Sequence, residues 1–273
     1  MSDKPPTSSA GRLEAEYNNR AAVPDHPVVM ARWKTEAEAA RADHPPTALP
    51  YGPGERHVID LFEAASDAPI VVFLHGGYWQ ALDRSWFSWI APSLLKHGIS
   101  VAIPSYDLAP DVRLGRIVGQ MRDAVELVRA RTGKRPVVFG HSAGGHGAAC
   151  MLSEARASAA VAISGLFDLE PLVQTSLNEA LRLDAREAAA LSPIHWPAPN
   201  GSTPGGTVLD CIVGAAETSE FVRQSRDMAD LWGGKGVETR FEALAGLNHF
   251  TVLDPLADPD SDLVKRIVEL AKA

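Results

Sequence analysis

The sequence predicts an α/β protein, a mostly parallel central sheet with helices on both faces and a small lid. Three observations lead there. Short apolar runs rich in β-branched residues recur at 70–74 (IVVFL), 136–139 (PVVF), 159–163 and 208–213, the composition of strands covered on both faces. Helical stretches separate them. The strict alternation implies right-handed crossovers that bring the strand C-termini, and the loops after them, to one edge. A chain of 273 residues suits one large domain. With no repeat or linker in view, residues 11–273 are expected to form it.

In chain order, residues 1–10 are polar and Pro/Ser-rich, the composition of a disordered tail. Residues 12–42 turn helical, with Val28, Trp33 and Ala37 spaced toward one face. Pro45, Pro46, Pro50 and Pro53 impose a break. Residues 56–62 then alternate as a strand, 70–74 form a buried strand, 86–97 a helix and 99–103 a strand. Residues 114–131 place Ile117, Met121, Ala124, Val125 and Val128 along one helical stripe, which Gly133 stops. Strands at 136–139 and 159–163 flank a helix at 143–152. Residues 165–200 have weak periodicity and are expected to lie over the sheet as short helices, a lid. The stretch 197–206 (PAPNGSTPGG) reads as an irregular surface loop. A strand at 208–213, a helix at 219–232, a strand at 237–243 and a helix at 261–271 close the chain.

The charge balance, 26 Lys+Arg against 34 Asp+Glu for a net of −8, argues against partners that present phosphate, whether nucleic acid or an anionic membrane surface. Cys150 and Cys211 lie in apolar segments, as buried reduced thiols do. The first twenty residues hold no apolar core of the secretory type, and no apolar run approaches the roughly 20 residues that span a bilayer. A cytoplasmic location is therefore expected. The partner is expected to be a small molecule, and a homodimer is compatible with the chain.

The chemistry concentrates in a few segments. Gly140-His141-Ser142-Ala143-Gly144 has the Gly-x-Ser-x-Gly pattern and sits between the strand PVVF and a small-residue helix. That context lets a strained turn expose a serine hydroxyl at a helix N-terminus, where free N–H groups and the positive dipole end favour negative charge. His75-Gly76-Gly77-Tyr78-Trp79 directly follows IVVFL. Backbone N–H groups from Gly76, Gly77 or Tyr78, with that of Ala143, are placed to bind an oxyanion. A serine nucleophile needs a base and an orienting acid, which follow it in the order Ser, Asp/Glu, His on a strand–turn–helix of this kind. His249, in GLNHF just past the last predicted strand, is the expected base. His141 and His146 stand too near Ser142 in sequence to point at it, and His57, His97 and His195 read as surface or packing residues. Glu217 is the expected acid because it lies nearest the end of the strand at 208–213, with Asp168 and Glu220 as alternatives. Tyr78, Trp79 and Trp86 fall near the same edge and would stack on an aryl ring. No metal-ligand spacing, phosphate-binding glycine loop or dinucleotide fingerprint is present, so no cofactor is implied.

From these segments the chain resembles an α/β-hydrolase, and more closely the arylformamidase (kynurenine formamidase) branch. HGGYW at 75–79, GHSAGGH at 140–146, SGLFDLEPL at 164–172, SEFVRQS at 219–225 and GLNHF at 246–250 carry the resemblance. It implies a cofactor-free serine hydrolase acting on an N-formyl aryl amide through an acyl-enzyme. The family commonly has Asp where this chain has Glu217. A general carboxylesterase would share the same catalytic residues, and a non-catalytic binding protein of this fold would be expected to have lost one of them.

Overall fold

A computed structural model describes residues 9–199 and 207–273. The expected tail therefore lies outside the described residues, except that Ser9 and Ala10 are already helical, and most of the loop at 197–206 lies outside them too. Three helices open the chain: α1 (Ser9–Tyr17), α2 (Asn19–Ala22) and α3 (His26–Asp43). Along α3 the buried face is Val29, Trp33, Ala37 and Ala40, whereas Val28 is 72% exposed. The expected stripe was one residue out of phase at its first member. Positions 29, 33, 37 and 40 keep the i, i+4, i+8, i+11 spacing of one helical face, and 28 does not.

The sheet has eight strands: β1 (Thr47–Pro50), β2 (Val58–Phe62), β3 (Ile70–Leu74), β4 (Ser100–Pro104), β5 (Val137–His141), β6 (Ala159–Ile163), β7 (Val208–Gly214) and β8 (Glu238–Leu244). Their order is β1-β2-β4-β3-β5-β6-β7-β8. β1 and β2 pair antiparallel, as do β2 and β4; every other pairing is parallel. β1 was expected to be a proline-enforced break. As an edge strand it has neighbours on one side only, and there proline is tolerated, with Pro50 opposite Val58.

Between the strands run α4 (Ala91–Leu95), α5 (Leu114–Thr132), α6 (Ala143–Ser153), α7 (Asn178–Leu181), α8 (Ala185–Ala190) and α9 (Ser219–Gly233), and α10 (Asp262–Lys272) follows the last of them. The helix expected at 86–97 is instead a 3-10 turn over Arg84–Ile90 running into α4. α5 ends as expected, on Gly133 in the left-handed conformation at φ 67°.

Two apolar layers hold the sheet between them. α5, α6 and α9 pack on one face around Met121, Val125, Met151 and Trp232. α3, α4 and α10 pack on the other around Trp33, Phe73, Phe139 and Ile267. Two buried carboxylates are matched inside this frame: Asp60 by Arg41 and Arg84, and Asp210 by Arg266 at 2.8 Å. Removing one partner of such a pair costs about 3–5 kcal/mol, because a buried charge is left alone.

β3 is flanked by β4 on one side and β5 on the other, so the chain leaves β3 in one direction and returns to its other side. The crevice between the ends of β3 and β5 is therefore a topological switch point, the place where open α/β sheets bind ligands. Leu74 pairs with Gly140 there, which sets the turn beginning at His75 beside Ser142.

Candidate active site

Ser142 sits between β5 and α6 with φ 56° and ψ −116°, a combination that costs a side-chain-bearing residue about 1–3 kcal/mol. The turn closes so tightly that its glycines have no substitute. A Cβ on Gly144 would lie 1.8 Å from the Leu74 carbonyl oxygen, and one on Gly140 would lie 2.3 Å from that of Gly144. The strain is held by long-range pairing: Ser142 N–H donates to Ile163 O at 2.8 Å, across to β6. The side chain is 2% exposed, at the floor of a cavity of about 350 Å³.

His249 lines the same cavity. Its Nδ1 meets Glu217 Oε2 at 2.6 Å, and its ring packs 4.5 Å from that of Phe221 and 4.7 Å from that of His141. Just after β8, Asn248 Oδ1 accepts the N–H groups of Phe250 and Thr251, which fixes the turn carrying the imidazole. The Glu217 side chain is fully buried and its other oxygen is satisfied, accepting from Ser164 Oγ at 2.5 Å and Gly214 N–H at 2.7 Å. A carboxylate so held stays in one place, and it orients His249 with Nε2 left over. Among the described residues neither Ser142 Oγ nor His249 Nε2 has a hydrogen-bond partner.

The other two carboxylates weighed for this position are engaged elsewhere. Glu220 accepts from Tyr17 Oη at 2.7 Å and from Arg223, whose guanidinium holds its carboxyl below the usual range. Asp168 accepts from the Glu170 N–H and lies 3.9 Å from Arg223.

The turn after β3 runs through Gly77 at φ 107°, Tyr78 at φ 50° and Trp79 at φ 57°. A Cβ on Gly77 would meet the Ala81 carbonyl oxygen at 2.3 Å. Gly76 abuts the serine turn from the other side, its missing Cβ leaving room for His141 and Ser142. The N–H groups of Gly77, Tyr78 and Ala143 have no acceptor among the described residues. His75, beneath the turn, stacks on Tyr106 with ring centroids 4.2 Å apart, and burial drives its pKa down to about 4. It is a neutral strut. His141 is likewise held far below 6.5 by burial and by its neighbour His249; its Nε2 meets His249 O at 2.8 Å. His146 faces Leu191 O rather than Ser142. His57 pairs with Asp107, and His97 reaches Pro259 O.

Two expected aryl platforms are not at the cavity. Trp79 is fully buried in the core beside α6, its indole edge-on to His146 at 5.2 Å. Of these two successive left-handed residues, only Tyr78 lines the cavity. Trp86 lies in the 3-10 turn against the opposite core layer. The indole that does line the cavity is Trp33 of α3, stacked with Trp89 and tilted against Phe250.

The cover of the cavity also departs from expectation. Residues 165–200 contribute Ser176 and Leu177, whereas the larger part of the roof is Glu14 to Arg20 with Met30 and Trp33. The roof is pinned to the loop bearing Glu217. Tyr17 Oη donates to Glu220 and accepts from Gln224 Nε2 at 2.7 Å, Thr218 Oγ1 donates to Glu16 O at 2.6 Å, and Glu16 Oε2 accepts the Glu220 N–H at 3.0 Å. Away from the cavity, Asp168, Glu170 and His195 bring ligand-type atoms within 4.8 Å of one another at a partly exposed spot, a grouping with no signature in sequence spacing.

A strained serine, a carboxylate-held histidine and free N–H groups thus meet at the switch point of a mostly parallel sheet on an α/β scaffold. The family model described as the alpha/beta hydrolase fold matches residues 71–253, and the chain belongs to that family. It is an enzyme of the hydrolase type. Among its relatives, the kynurenine formamidase of Drosophila melanogaster is 29% identical over 94% of this chain and 92% of that protein. That of Danio rerio is 28% identical over 81% and 80%. A solved structure from Silicibacter sp., described provisionally as a thioesterase, superposes with a TM-score of 0.83 at 36% identity, covering 96% of this chain and 99% of that one. An esterase of Pyrobaculum calidifontis shares the fold, with a TM-score of 0.69 at 18% identity over 98% of each chain.

Proposed function

We propose that the enzyme is a serine hydrolase that removes the formyl group from an N-formyl aryl amide such as N-formylkynurenine. The observation that carries the reading is Ser142 Oγ and His249 Nε2, both unpartnered on one cavity, with His249 Nδ1 held 2.6 Å from buried Glu217. The similarity to kynurenine formamidases over most of the chain supports the substrate.

Ser142 Oγ attacks the formyl carbon as its proton passes to His249 Nε2. Glu217 holds the Nδ1–H tautomer and stabilises the imidazolium. The oxyanion is met by the N–H groups of Ala143 and of Gly77 or Tyr78, donors already fixed before charge develops. His249 then protonates the amide nitrogen, the C–N bond breaks and the aryl amine leaves. Water, deprotonated by His249, attacks the formyl-serine; formate departs and Ser142 recovers its proton. An aryl nitrogen is a workable leaving group because its lone pair delocalises into the ring.

The test is hydrolysis of N-formylkynurenine beside p-nitrophenyl acetate, with wild type and Ser142→Ala. The expected result is kynurenine release well above the ester rate, falling by about 10⁶ in kcat in the variant. Ester cleavage with negligible deformylation would instead make the enzyme a carboxylesterase, the reading favoured by its esterase-like structural neighbours. Full turnover by Ser142→Ala would remove Ser142 from the mechanism.

A further inference from the structure

Almost every polar side chain around the cavity wall is already committed to holding that wall. Both oxygens of Glu14 accept from Ser176, one from its N–H at 2.8 Å and one from its hydroxyl at 2.7 Å. Tyr17 is bonded to Glu220 and Gln224, and Tyr78 Oη donates to Tyr17 O at 2.7 Å. Asn19 Nδ2 reaches Tyr78 Oη, and Gln80 Nε2 donates to Leu177 O at 3.1 Å. Apart from Ser142 and His249 themselves, Arg20 is the exception. Its guanidinium has neither a hydrogen bond nor an ion pair among the described residues, although Glu14 and Glu16 lie close by in sequence.

The geometry points to Arg20 as a specificity-determining residue that receives a carboxylate at the end of the substrate remote from the scissile acyl group. Ser142 is buried at the floor of the cavity and Arg20 is exposed at its rim. A ligand that fills the space presents its acyl carbon to one and its far end to the other. Between them the wall is largely apolar and aromatic (Met30, Trp33, Leu82, Phe250), suited to an aryl body. Apart from the reacting pair Ser142 and His249, the unmatched polar groups on the cavity include donors at both ends: the N–H groups beside Ser142 and the guanidinium of Arg20. Such a cavity asks for acceptors at both ends of its ligand. A guanidinium matches a carboxylate through two parallel N–H···O bonds, where a lysine offers only a point charge. Glu14 is bonded to Ser176 through both oxygens and makes no ion pair with Arg20. This inference rests on the serine-hydrolase reading of the same cavity, and does not require that the acyl group be formyl.

The test uses two matched pairs of substrates and takes the ratio of kcat/KM within each. One pair is N-formylkynurenine and its α-carboxamide. The other is 4-acetoxyphenylacetate and 4-acetoxyphenylacetamide. Wild type is expected to prefer the carboxylate member on the order of 10-fold, a modest factor because Arg20 is solvated. Arg20→Gln should bring the ratio near unity through KM, Arg20→Lys should restore part of it, and Arg20→Glu should invert it. Added salt should erode the wild-type preference and leave the Arg20→Gln ratio where it is. Arg20→Gln should fold normally, since the side chain holds nothing in place. A wild type without carboxylate preference, or an Arg20→Gln variant that keeps it, overturns the proposal. Preference in the ester pair with no cleavage of either formamide would sustain Arg20 and sink the formamidase reading. Deformylation at equal rates within its pair would do the reverse.

Discussion

The floor and the roof of the cavity are built in opposite ways. The floor is two short turns, residues 75–79 after β3 and 140–144 at the end of β5, held by the sheet and by glycines that admit no side chain. The roof is α1, α2 and the start of α3, held by side-chain hydrogen bonds to residues about two hundred positions away, such as Tyr17 to Glu220. Strain at the floor is sustained because the sheet over-determines it, and it keeps donors and nucleophile aligned before substrate arrives. The roof is held by the apolar burial of Tyr17 and Trp33 and by a few polar clasps, not by backbone strain within a turn. The floor is thus made to hold geometry, and the roof to admit, choose and enclose a ligand.

That division predicts how each region breaks. At the floor, Glu217→Gln keeps the shape but presents an amide N–H to His249 Nδ1, reversing the tautomer. A loss on the order of 10⁴ in kcat is expected, with thermal stability little changed. A loss below about tenfold would return the role to Asp168 or Glu220. Next in size is Gly144→Ala. Alanine in place of a helical glycine usually stabilises by about 1 kcal/mol, but here the Cβ would lie 1.8 Å from Leu74 O. Several kcal/mol of destabilisation are expected in urea unfolding, as for other overpacked or strained sites. Gly119 of α5 is the matched control, since a Cβ there meets nothing within 4 Å. Gly119→Ala should raise stability by roughly 0.5–1 kcal/mol. If both substitutions behave alike, the strain argument for the floor fails.

At the roof the effects should be smaller and fall on KM. Tyr17→Phe removes one hydroxyl that serves both Glu220 and Gln224. It should cost about 1–3 kcal/mol of stability and raise KM several-fold while kcat changes little. A fall in kcat equal to that of Glu217→Gln would mean that roof and floor act as one unit through Phe221, which packs against both Tyr17 and His249.

The same contrast separates what was legible in the sequence from what was not. The strands β3, β5, β6 and β7, the stripe on α5, the serine turn and the pairing of Glu217 with His249 were all readable. Each rests on a local pattern: a β-branched run, a 3.6-residue period, or a residue just past a strand end. β1 was missed because prolines that mark a break in isolation are harmless on an edge strand. Trp79 and Trp86 were misplaced because position along a turn does not say to which side it sends each side chain. Ser164 and Asn248 lie in the segments SGLFDLEPL and GLNHF, but nothing in the local pattern of either says that Ser164 donates to Glu217 or that Asn248 shapes the turn at His249.

By itself the sequence determined the alternating α/β fold and which residues gather at the sheet edge, Ser142, Glu217 and His249 among them, because short-range sterics and periodicity suffice to specify both. Only the tertiary structure decided which segment covers the site, which indole lines it, and which charge at its rim is left unpaired. Those outcomes depend on contacts between residues far apart in the chain. Burial and hydrogen-bond partnership, which make a tryptophan a wall or an arginine free, exist only once those contacts have formed.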